Sequence, residues 1–81
     1  MLEHKQINMI VERISRLFEI QLPLECKSFQ YDANEDTVHI LFSENNITNS
    51  INIGKDVIID QDIDSKFVGV KIANVSQFLP K

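Results

Sequence analysis

Asp56-Val57-Ile58-Ile59-Asp60-Gln61-Asp62-Ile63-Asp64-Ser65-Lys66-Phe67-Val68-Gly69-Val70-Lys71-Ile72 sets two short β-branched runs on either side of an acidic, polar turn. β-Branched side chains suit a pleated backbone, and Asp and Ser between two such runs favour chain reversal, so the segment predicts a β-hairpin with strands at Val57–Gln61 and Lys66–Ile72. It specifies a fold far more than a chemistry. Both of its faces carry apolar groups: Val57 and Ile59 are flanked by Ile58, and Val68, Val70 and Ile72 by Phe67.

Upstream, the same strand rhythm continues with candidates at Ser28–Asp32, Thr37–Ser43 and Ile47–Ile53, separated by Asp32-Ala33-Asn34-Glu35-Asp36 and Glu44-Asn45-Asn46 and closed by a Gly54-Lys55 turn. None of these connections has the dozen or so residues that a parallel crossover needs, so residues 28–72 read as an antiparallel meander. Before Pro23 the period is helical. Ile7, Ile10, Val11, Ile14, Leu17 and Phe18 recur at steps of three and four, while Glu3, Gln6, Glu12, Arg13, Arg16 and Glu19 occupy the opposite side. Proline disfavours helical geometry in the residue before it, which places the end of this helix ahead of Leu22 and its span at 3–21. The expected architecture is α+β: an N-terminal amphipathic helix packed on a four- to five-stranded antiparallel β-meander, in one domain over 1–81 with a C-terminal tail at 74–81.

Composition narrows the partners. The 81 residues are 43% hydrophobic and 25% charged, with two Gly and two Pro, which suits one folded domain rather than a disordered segment. Eight basic against 12 acidic residues give a net charge of −4, which opposes attraction to phosphate backbones and anionic lipid. Nucleic acid and membrane are therefore not the expected partners. No apolar run approaches the roughly 20 residues that cross a bilayer, and nothing at the N-terminus reads as a signal segment, so the expected location is the cytoplasm. Cys26 is the one cysteine; it has no second thiol for a disulfide or a metal cluster.

Alternation assigns faces to the strands. Val38, Ile40 and Phe42 share one face, as do Ile47, Ile51 and Ile53, and these should meet the helix; Thr37, His39 and Leu41 lie opposite, with Thr48, Ser50 and Asn52. One helix covers one face of a sheet. Leu41, Ile58 and Phe67 are thus left as candidate interface residues, to be covered either by the tail, through Val75, Phe78 and Leu79, or by a second polypeptide.

Tyr31-Asp32, then Asp36-Thr37-Val38-His39-Ile40, then Asp56-Val57-Ile58-Ile59-Asp60, then Phe67-Val68-Gly69-Val70-Lys71-Ile72-Ala73-Asn74-Val75-Ser76 resemble the small prokaryotic proteins grouped as domain of unknown function 2283. The pattern runs from about Phe29 to Ser76. Lys71 stands where the family more often has an acidic residue, and the N-terminal helix is absent from its shortest members. The resemblance implies a bacterial or archaeal origin, a β-rich fold and no established activity; some members sit beside small toxin-like proteins, which implies an antitoxin-like binding role.

Individual residues support little chemistry. Asp32 and Asn34 suit a turn, and Gly69 inside a strand suits a bulge or a close backbone approach. Asp60, Asp62 and Asp64 have the alternate spacing of a calcium loop, but Ser65 and Lys71 replace the turning Gly and the bidentate Glu that such a loop requires, so no metal is expected. No glycine-rich phosphate loop or zinc spacing is present, and no cofactor is expected. His4 and His39 lack metal-ligand neighbours in sequence. The expected function is a protein-binding or self-associating module, dimeric or bound to another protein; the alternative is a small ligand-binding domain or enzyme using His39 with Tyr31 or Cys26.

Overall fold

A computed structural model of the chain describes residues 2–23 and 25–79. Helix α1 (His4–Leu17) precedes strands β1 (Ser28–Asp32), β2 (Thr37–Leu41), β3 (Asn49–Gly54), β4 (Val57–Gln61) and β5 (Phe67–Ile72), and a 3-10 turn (Val75–Phe78) follows. The fold is α+β, with one helix on a five-stranded antiparallel sheet, as the periodicities require. The last two residues of the expected tail lie outside the described residues.

The apolar stripe of α1 buries Ile7, Ile10, Val11 and Ile14. Leu17 belongs to the same sequence pattern but is 59% exposed, because at 100° per residue it projects about 70° from the centre of that stripe. At the N-terminus the Gln6 side chain accepts the Glu3 N–H at 2.9 Å, satisfying a donor that the helix leaves unpaired. The helix stops at Leu17, short of the expected residue 21. The cause is backbone geometry rather than Pro23: Glu19 is left-handed (φ 54°), and the Ile20 N–H turns back to the Ser15 carbonyl at 3.0 Å.

Strand order is β1-β2-β5-β4-β3. β1–β2, β3–β4 and β4–β5 are hairpins, but the connection from β2 to β3 is not, and here the sheet departs from a simple meander. Residues 42–48 pass the ends of β5 and β4, tied by Phe42 N–H to the Val68 carbonyl (2.7 Å), Asn45 Nδ2 to Asp62 Oδ2 (2.9 Å) and Thr48 N–H to the Gln61 carbonyl (2.9 Å). Apolar content explains the order. β5, with Val68, Val70 and Ile72 all buried, takes the centre, while β3, with Asn49, Ser50 and Asn52, takes an edge.

On the helix side, cross-strand neighbours form two rows, Tyr31-Val38-Ile72-Val57 and Phe29-Ile40-Val70-Ile59-Ile51. Each fully buried isoleucine in these rows contributes about 1.5–3 kcal/mol of transfer free energy. The tail joins this same side. Val75 is buried in the core, Phe78 and Leu79 pack against it, and Arg13 Nη1 donates to the Phe78 carbonyl at 3.4 Å. The tail therefore does not cover the outer face of the sheet.

Candidate functional site

The outer face presents two rows across all five strands: Asn52, Ile58, Lys71, His39 and Gln30 in one, and Ser50, Asp60, Gly69, Leu41 and Ser28 in the other. Leu41 and Ile58 lie there, half-buried and separated by β5, as alternation predicts. Phe67 does not share that face. Asp60 pairs with Gly69 and Gln61 with Phe67, so Val68 is an extra residue that shifts the alternation by one. Phe67 consequently packs against the helix-side core, and Val68, though buried, lies outside that core. The two rows are mainly polar, with Leu41 and Ile58 kept apart by β5.

Gly69 sits at the centre of this face for a steric reason. A Cβ there would meet the Ile40 carbonyl oxygen at 2.7 Å, Leu41 Cδ2 at 3.2 Å and His39 Nε2 at 3.5 Å. The missing side chain lets His39 lean across β5 toward β4. There Asp60, 1% exposed, accepts the Ser50 hydroxyl at 2.8 Å through Oδ1, while its Oδ2 lies 3.4 Å from His39 Nε2. The last two atoms are buried, out of line for a hydrogen bond, and without another partner among the described residues. Asp60 stands between Ser50 and His39, so the Ser50 hydroxyl donates to the Asp60 side chain and not to the imidazole.

The other residues of the enzymatic alternative lie elsewhere. Tyr31 pairs with Val38 and faces the helix side, whereas His39 faces outward. Cys26 is buried with its Sγ 3.4 Å from Nε2 of His4, whose ring stands edge-on to Phe29; burial raises the thiol pKa, which keeps the sulfur in its less nucleophilic form. His39, Tyr31 and Cys26 do not form one site.

The acidic residues divide between tying loops together and holding the sheet. Asp62 Oδ1 accepts the Asp64 and Lys66 amides at 2.8 and 3.0 Å and Oδ2 accepts Asn45, and these donors, Lys66 first, lower its pKa. Asp60 is a strand residue rather than part of the turn, so the alternate spacing of Asp60, Asp62 and Asp64 does not converge on one point. At the other end of the sheet, Asp36 accepts the Ser76 amide and hydroxyl, and Asp56 accepts Gln77 and Asn74 side chains at 2.9 and 3.2 Å. Donation from Gln77 is the main reason the Asp56 carboxyl is held below the ordinary carboxylate range.

A family model described as Protein of unknown function (DUF2283) matches residues 28–76. The chain belongs to that family. The family region spans all five strands and ends at Ser76, the residue that Asp36 holds; hydrogen bonds among Asp36, Asp56, Asn74 and Ser76 fasten this end of the sheet. Helix α1, which forms one wall of the core, precedes the matched segment. No curated protein and no solved structure matches the chain. No helix among the described residues is long and apolar enough to cross a membrane.

The sheet has two open edges, and they differ. β1 is flanked by Lys27 and ends in Asp32, whereas the ten residues from Asn45 to Gly54, which include all of β3, carry no charge and no proline between Glu44 and Lys55. Four of the six β3 residues are exposed, Ile51 at 42%, and Ile47 just before the strand at 44%. The uncharged run is a signal already present in the sequence. Its position on an edge follows only from the strand order.

Proposed function

We propose that the protein is a binding module rather than an enzyme, and that the β3 edge is where another protein chain adds a strand. The observation that carries this reading is an exposed edge strand without charge or proline, whose one bulge, at Ile53, lies at its turn end and leaves Asn49–Asn52 regular. Half of the backbone groups of an edge strand face away from the sheet, and an added strand satisfies them while pockets for alternate side chains provide selectivity. The Ser50–Asp60 hydrogen bond supports the role by pinning β3 to β4, so the edge is presented in a fixed register.

A photoreactive benzoylphenylalanine in place of Asn52, on β3, tests this in cells producing the full chain. The expected result is a covalent adduct at position 52 and none when the same group replaces Arg16 on the exposed side of α1. Absence of an adduct at 52, or equal yields at both positions, would overturn the reading. An antitoxin-like role is one form such binding could take, with a small second protein occupying the edge.

A further inference from the structure

Resting on that reading, we infer that the chain occupying the β3 edge is a second copy of this one, joined about a two-fold axis into a continuous ten-stranded sheet. Charge favours this partner. The protein carries a net charge of −4, so two copies repel across most of their surfaces, but the run from Asn45 to Gly54 brings no like charges together. An edge selecting a basic partner would gain from carboxylates, and β3 has none.

Antiparallel pairing of identical strands is self-complementary, because residue i meets residue j and j meets i. Directly opposed side chains project to the same side, which restricts the symmetric registers to those centred on a residue. The register centred on Ile51 places Ile51 against its own copy and Ser50 against Asn52, with the bulged Ile53 at the end of the paired run beside Asn49. Both isoleucines then lie on the helix side, and the polar Ser50 and Asn52 stay together on the outer face. Ile51 explains the preference further: it continues the row Phe29-Ile40-Val70-Ile59 but is left 42% exposed at the sheet's edge. A second Ile51 beside it completes that row.

Light scattering on the purified full chain, combined with the benzoylphenylalanine adduct at position 52, tests the inference. The wild type is expected at twice its 9.3 kDa, and the purified adduct at the same doubled mass. Ile51→Lys places a charge against its own copy and should halve the mass while the circular dichroism spectrum stays folded; Leu17→Lys, on an exposed helix position, should leave it doubled. A 9.3 kDa wild type, or an Ile51→Lys variant of unchanged mass, would overturn the inference. An adduct in cells with a mass other than twice the chain would overturn the second copy as occupant and leave the binding reading standing; no adduct in cells would remove both.

Discussion

Replacing Gly69 with alanine sets a Cβ 2.7 Å from the Ile40 carbonyl oxygen, and replacing Gly54 with alanine sets one 2.7 Å from Phe18 Cε1. The two closest approaches are equal, yet the expected consequences differ because the atoms encountered differ. An unstrained carbon–oxygen approach is about 3.3 Å, so the Gly69 variant must open the β2–β5 ladder by roughly 0.6 Å at the centre of the sheet. Overpacking of this kind costs about 1–3 kcal/mol, and the smaller conformational freedom of unfolded alanine returns about 0.4–1 kcal/mol. The net loss is about 1–2 kcal/mol, which for a domain of this size corresponds to a melting temperature lower by about 4–16 °C. At Gly54 the obstruction is the end of a half-buried aromatic ring that can swing outward, so steric loss and entropic gain nearly cancel and the melting temperature should stay within about 4 °C of wild type. Thermal melts followed by circular dichroism compare the pair. A Gly69→Ala variant melting within about 2 °C of wild type, or a Gly54→Ala variant losing as much as Gly69→Ala, would refute the packing argument.

The same face makes a second prediction: Ser50→Ala should lower stability by about 1–3 kcal/mol by leaving the buried Asp60 without its donor. Urea midpoints of the variant and the wild type check this, and an unchanged midpoint would count against the Ser50–Asp60 bond. Acid titration gives a third. Asp56 and Asp62 have folded-state pKa values below their unfolded ones, so the stability they contribute is complete above the unfolded value and is lost as pH falls through the lowered folded value. The melting temperature should therefore drop on acidification through and below the ordinary carboxylate range. An Asp56→Asn/Asp62→Asn double variant should show a flatter profile there, and identical profiles would contradict the assignment.

Local periodicity made much of the architecture legible, and tertiary competition decided the rest. β1 and β4 begin and end where their alternation and turn residues place them, and the Asp32 turn forms as its side chain suggests, with Oδ1 accepting the Asn34 and Glu35 amides at 2.9 and 3.2 Å. The helix stop was hidden because Glu19 adopts a left-handed conformation usually given to glycine. Strand order was hidden because residues 42–48 are equally able to form a hairpin or to pass two strand ends; burial of β5 settles the choice. Phe67 was assigned to the outer face because a bulge leaves no mark in the hydrophobic pattern, and one extra residue at Val68 exchanges the faces. The cluster around Asp60 was hidden because Ser50, His39 and Gly69 lie on separate strands that only the strand order brings together. The uncharged run in β3 was visible throughout, but only the strand order makes it an edge.

Hydrogen exchange at the amides of Asn49–Gly54, measured from micromolar to millimolar protein, tests the open edge most directly. If β3 is where a second copy adds its strand, protection of these amides rises with concentration while that of the β1 edge, Ser28–Asp32, stays constant. Exchange in β3 that is as fast as in β1 and independent of concentration would contradict the account.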